Sequence, residues 1–358
     1  MSLTRWIVTT LSFLAAVGAS VVIVWRTWPA GGGSVSLPLL AHGLAAGALV
    51  AEVAFRAWKV QLSARALRLP LGFGAAVRVS LGGDFAASIT PSRSGAEPAR
   101  YLVLAEARVE PLGRLLILFT EILLEMLSLG TVAIVLALVF RGAGAALAGL
   151  VGLVGGYAAI VLGVGALGMA LSHRNAHGPP PPWATRIGLH AGRWRGIQRS
   201  LRQLRGSVEA VRGARLGTMT AAYVMSVLHV VARMCVLPSL VYGARAGLPF
   251  NETTLAPLVV WPLALQYGAG VAPAPGGGGV VEAAFTAVLR RDIPVRLFGA
   301  SLIWWRFYTF YAYLPLGALA AGRTVLRALR QNKARRHGVR HESVMTTAQH
   351  RIAQSAER

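Results

Sequence analysis

Apolar residues run through this chain in long blocks separated by short polar punctuation. About 20 apolar residues suffice for a helix to cross roughly 30 Å of hydrocarbon. Six blocks meet that length and predict full spans at about 6–25, 38–58, 115–140, 143–171, 218–241 and 295–321. Two regions break the pattern. Residues 71–109 and 254–289 each read as an apolar stretch, a Pro/Gly interruption and a short helical stretch. The first block has a longer apolar core than a signal peptide and is expected to remain as an uncleaved helix.

Composition agrees with an all-α integral membrane protein: 55% of the 358 residues are hydrophobic and only 14% are charged, against roughly 25% charged in an ordinary soluble domain. The formal net charge of +23 is carried in blocks. Nine arginines lie between Arg174 and Arg215, and a second cluster begins at Arg323. Basic segments beside spans mark the cytoplasmic face. No folded reader motif accompanies them, so nucleic acid is not an expected partner. Cys235 is the single cysteine, which excludes a disulfide framework or a cysteine metal site. Sequence signatures of nucleotide-binding loops, zinc hydrolases and serine hydrolases are absent; neither an enzymatic activity nor a cofactor is expected.

Charge placement decides how the two irregular regions sit. If residues 71–89 crossed the bilayer, the arginine-rich loop would fall on the outer face, against the positive-inside tendency. Turning "EPARYLVLAEARVE" into a return span would carry Arg100, Glu106, Arg108 and Glu110 through hydrocarbon, at roughly 2.5–3.5 kcal/mol each near the centre. A re-entrant hairpin avoids both. The same reasoning has 254–289 approach from the opposite side and leaves both termini in the cytoplasm. Pro91 and Pro275, like Gly95 and Gly279, are separated by 184 positions. The predicted architecture is about six full transmembrane helices plus two re-entrant broken-helix hairpins arranged as an inverted repeat. Its halves are about 38–171 and 216–322, joined by a cytoplasmic loop at 172–215, and 331–358 forms a disordered basic tail.

Proline removes a backbone donor and glycine widens the allowed dihedrals, so Pro91, Gly95, Pro273, Pro275, Gly276, Gly277 and Gly279 mark the backbone breaks. Such breaks survive at membrane depth only inside protein or beside a wet cavity. Pro98 is expected to open the first short helix and Gly277 or Gly278 to cap the second. Helix N-termini facing each other near the midplane favour an anion such as phosphate. Candidate headgroup-binding or translocation residues are Arg93, Glu97 and Arg100 at the first break, Glu121 and Glu125 on the next span, Glu282 one turn into the second short helix, and Arg306. Glu121 and Glu125 share one helix face, open either to function or to pairing with Arg306 or Arg233. Glu282 and Arg306 are expected to pair as a gate or as a structural bridge. Glu52 and Arg56 read as a structural pair near a cytoplasmic helix end, where arginine snorkels; His42, His229 and Arg233 read as helix-to-helix hydrogen-bonding groups.

The segments "PSRSGAEPAR" (Pro91 to Arg100) and "PAPGGGGVVE" (Pro273 to Glu282), with "WWRFYTF" around Arg306, resemble the lysylphosphatidylglycerol synthase transmembrane family, over roughly residues 6–330. The resemblance implies a flippase-like domain at 1–330 that moves a lipid between leaflets, without the family's fused aminoacyltransferase. In fused relatives that lipid is aminoacylated phosphatidylglycerol; hopanoid or glycolipid pathways are proposed for stand-alone ones. Relatives often carry a Glu-Arg pair followed by Asp on the span after the first motif; this chain has "TEILLEM", so Glu121 has no adjacent arginine. The expected function is a bacterial inner-membrane flippase or scramblase for an anionic or modified phospholipid. Rivals are a polyprenyl-phosphate or glycolipid translocator, a membrane subunit that recruits a glycosyltransferase or lipid-modifying enzyme, and an integral membrane lipid enzyme. Membrane lipids are the expected partners, and the pattern is compatible with a homo-oligomer.

Overall fold

In the computed structural model the described residues are 36–141, 213–245, 247–268 and 274–324, with Val154–Gly163 and scattered positions before and after it. All regular structure among them is helical. The predicted first span and the basic loop, apart from isolated positions, and the whole tail lie outside the described residues, as does Pro273.

Helix α1 spans Leu39–Ala66, α2 Phe73–Ile89, α3 Ala96–Glu106, α4 Pro111–Val139 and α5 Val154–Gly163. Downstream come α6 Leu216–Met234, α7 Val236–Gly243, α8 Glu252–Gly268, α9 Val280–Leu289, α10 Val295–Arg306, a π turn at Phe307–Tyr311 and α11 at 313–324. Three helical stretches are long and apolar enough to cross a membrane: Leu39–Ala66, Pro111–Val139 and Leu216–Gly243.

The same order of elements occurs twice. A 28-residue helix is followed by a 17-residue helix, a three-residue 3-10 turn, a short helix of 11 or 10 residues, and a long final helix. Backbone conformation repeats as well. Left-handed φ occurs at Ser92 and Arg93 (48° and 56°) and again at Gly276 and Gly277 (60° and 68°), 184 positions on. Two residues beyond each 28-residue helix, Arg68 and Arg245 also turn left-handed, the conformation that terminates a helix. Pro70 and Pro249 follow and prevent its resumption.

Local chemistry fixes the breaks. At the first, the Thr90 hydroxyl donates to the Ala86 carbonyl at 2.7 Å and accepts from the Gly95 N–H at 2.9 Å, tying the two arms together. The short helix then starts at Ala96 behind Gly95, so Pro98 sits in the first turn rather than at its start, where an N–H has no intrahelical partner to lose. At the second break the cap is Gly279, one or two residues later than expected, because Glu282 reaches back and accepts the Gly279 N–H at 2.8 Å.

Helix α1 packs most extensively along α6, and small residues allow close crossings. A Cβ at Gly243 would strike the Ala41 backbone, and one at Gly317 the Leu81 carbonyl. The two ends of α1 serve different cores. Ala41, Ala45 and Leu49 cluster with Val281, Phe285 and Leu289 of α9, whereas Ala57, Val60 and Ala64 cluster with Val103 and Leu104 of α3. Between Ala41 and Val60 lie about 29 Å of helix at 1.5 Å per residue. The two short helices thus belong to different cores, which are built on opposite ends of the same rod with its charged middle between them.

Candidate functional site

That middle carries Glu52, Arg56 and Lys59, spaced to share one face of α1 and all buried. Glu52 accepts from Arg233 of α6 at 2.6 Å and from the Tyr313 hydroxyl of α11 at 2.6 Å. Arg56 lies 3.5 Å from Glu52 and donates to Asp84 of α2 at 2.9 Å. Lys59, fully buried, donates to Glu125 of α4 at 2.7 Å and stands 3.8 Å from Glu121. Glu125 also accepts from Tyr267 of α8 at 2.7 Å and meets His229 of α6 at 3.3 Å. A buried charge survives only when paired and hydrogen-bonded, and here each is held by neighbours from different helices.

The 3-10 turns Pro91–Arg93 and Pro275–Gly277 contact one another. Arg93 extends from the first tip towards Asp84 at 3.9 Å, its side chain 38% exposed. On α3, Arg100 meets Glu97 at 3.0 Å and Glu121 of α4 at 3.2 Å, lying across Gly83, where any Cβ would collide with it. At the second tip, Arg306 donates through Nε to Glu282 at 2.7 Å and through Nη2 to the Gly276 carbonyl at 3.2 Å. Phe310 and Tyr311, in the π turn after it, present their rings to the guanidinium at 4.6 and 5.9 Å. Each short helix is therefore bound to the long helix after it by an ion pair, with opposite polarity: Arg100 to Glu121 in one case, Glu282 to Arg306 in the other.

Two cavities meet here. A small one of about 50 Å³ lies between the tips, lined by Asp84, Ser88, Arg93, Arg233, Gly276 and Arg306 among others. A larger one of about 310 Å³ includes Arg56, Glu97, Arg100, Glu121, Glu125 and His229. Arg93, Arg233 and Gln266 line both. Among the described residues, Arg56 Nε, Arg100 Nε, Gln266 Nε2 and Glu121 Oε2 are buried without a hydrogen-bond partner. All four side chains belong to residues that line the larger cavity.

The site gathers all seven candidate charges, corrects two readings and bears out a third. Glu121 and Glu125 pair with Lys59 and Arg100, not with Arg306 or Arg233. Glu52 and Arg56 sit mid-helix, because α1 runs on to Ala66 instead of ending near Trp58, so neither snorkels. His42, His229 and Arg233 do bond between helices, to Tyr308, Glu125 and Glu52. Lys59, Asp84, Tyr267 and Tyr313 belong to the network without having been singled out from sequence. The available signal was charge inside apolar runs: Lys59 follows Arg56 on the same face, and Asp84 interrupts "SLGGDFAAS".

No curated protein sequence matches this chain. A family model described as the lysylphosphatidylglycerol synthase TM region matches residues 4–317, most of the chain's length. With its long apolar helices, two broken helices and buried charge network, the chain belongs to that family of membrane proteins.

Proposed function

We propose that this protein translocates a phospholipid or related lipid between leaflets, binding the headgroup phosphate between the two interrupted helix tips. The observation that carries this reading is the contact of the turns Pro91–Arg93 and Pro275–Gly277 beside a cavity bearing Arg93, Arg233 and Arg306. Irregular backbone belongs at membrane depth only where protein or a wet cavity surrounds it, and transporters place their sites at such discontinuities.

On this reading the two broken helices are re-entrant hairpins of an inverted repeat. The membership of α3 and α9 in cores built on opposite ends of α1 supports opposite sides of approach. The cations Arg56, Lys59, Arg93, Arg100, Arg233 and Arg306 are matched by Glu52, Asp84, Glu97, Glu121, Glu125 and Glu282. A phosphate therefore competes with carboxylates for each arginine instead of falling into an uncompensated positive well. That balance suits a carrier, which must release what it binds. The oppositely polarised pairs Arg100–Glu121 and Glu282–Arg306 act as two gates, opened in turn as one repeat rocks against the other.

Proteoliposomes containing headgroup-labelled phosphatidylglycerol test the proposal. Wild-type protein is expected to equilibrate label between leaflets, and Arg93→Ala and Glu282→Ala to abolish the movement. Unchanged rates in both variants would remove the site assignment, and a wild-type protein inert towards anionic, zwitterionic and polyprenyl-phosphate lipids would remove the function.

A further inference from the structure

A third cavity adjoins the polar pair. It measures about 720 Å³ and runs between α4 and the helix Val154–Gly163, where its lining is apolar or small except for Thr131 and Arg141. Met126 lines both this cleft and the 310 Å³ polar cavity, and adjacent residues of one helix divide between them: Tyr157 faces the polar cavity, Gly156 the apolar one. The cleft reaches from Met126 to Phe140 along α4, about 21 Å at 1.5 Å per residue. That length covers the roughly 15 Å of hydrocarbon in one leaflet. Its rim is exposed at Leu127 and Ile134.

Glycines give the cleft its width. Close helix crossing is the usual reason for glycine in a membrane helix, yet among the described residues a Cβ at Gly130, Gly152 or Gly156 would meet nothing within 4 Å, and one at Gly155 would touch Ala133 at 3.4 Å. Inside a bilayer an apolar cleft of this kind offers water no polar partners, and left empty it would forfeit dispersion contacts along its whole wall. A hydrocarbon chain satisfies it. We propose that the cleft holds one acyl chain of the lipid whose headgroup occupies the adjoining polar cavity, so that the lipid moves in sideways between α4 and Val154–Gly163. The inference rests on the lipid-translocation reading and adds the acyl subsite. The competing occupant is a second copy docking through the Gly152/Gly156 face; continuity with the polar cavity favours the lipid, because one amphiphile fits both spaces.

The test uses the full chain in proteoliposomes with phosphatidylglycerol carrying a photoactivatable diazirine on its acyl chain. Adducts are expected on residues 126–140 and 151–162. Gly130→Leu and Gly156→Leu point into open space, so both variants should keep the wild-type melting temperature; displacing about two chain methylenes should lower adduct yield and transport roughly tenfold. Adducts spread evenly over exposed faces such as Leu39 and Leu319, yields unchanged in the leucine variants, or crosslinking of two chains through this face would each overturn the acyl subsite. Wild-type transport with adducts elsewhere refutes this inference alone, whereas adducts in the cleft without any wild-type transport refute the translocation reading and leave the site standing.

Discussion

The two interrupted tips adopt the same backbone with opposite chemistry. Both turn through two consecutive left-handed residues, Ser92–Arg93 in one and Gly276–Gly277 in the other. For residues bearing a Cβ that conformation costs roughly 1–2 kcal/mol each; for glycine it costs almost nothing. The first tip accepts strain and obtains a partly exposed guanidinium at its apex. The second gives up side chains, and Phe310 fills the space, its ring lying where a Gly276 Cβ would stand. Equal folds thus present unequal chemistry: the first tip offers a partly exposed cation, whereas the second offers bare backbone, including the Gly276 carbonyl that anchors Arg306.

The largest effect expected from breaking this contrast is at the buried pair of the second tip. Glu282→Ala strands Arg306 and the Gly279 N–H together, and should cost about 3–5 kcal/mol, read as a lower midpoint in thermal unfolding of the detergent-solubilised protein. Reversing the pair with Glu282→Arg and Arg306→Glu together copies the polarity of Arg100–Glu121; if the two pairs are equivalent, the double variant should be more stable than either single one. Next comes Gly276→Ala, which combines left-handed strain with a collision against Phe310 and should cost about 2–5 kcal/mol. Combining it with Phe310→Ala should recover the steric share and leave the backbone share. Ser92→Gly is the mirror experiment and should stabilise by about 1 kcal/mol or less, with transport preserved. Smallest in stability is Arg93→Ala, whose half-exposed contact with Asp84 is worth under about 1 kcal/mol. Because this arginine is the group the tip projects, its removal should nevertheless stop lipid movement, and a variant equal to wild type in flux would show that the tips do not differ in role.

Much of the architecture was legible in residue order. Long apolar runs gave α1, α4 and Leu216–Gly243, and Pro/Gly punctuation located both breaks within a few residues. Boundaries failed where side chains overrule local propensity. Gly279 rather than Gly277 or Gly278 caps α9 because Glu282 reaches back to it, and α1 continues past Trp58 because Lys59, polar by its own nature, finds two carboxylates on α4. Arg93, Glu97, Arg100, Glu121, Glu125, Glu282 and Arg306 stood out from sequence because a charge in an apolar run demands a reason. Their partners did not stand out, since pairing depends on which helix faces meet, and periodicity along one helix carries no information about its neighbour.

Sequence by itself determined that this chain is helical, rich in membrane-length apolar segments, and interrupted twice at points 184 residues apart, because hydrophobic length and backbone dihedral limits are properties of local residues. Tertiary structure alone decided that the two interruptions touch, that six cations find six carboxylates, and that one glycine faces an aromatic ring while others face open space. Those outcomes depend on distances between segments remote in the chain, and such distances are set by packing the whole.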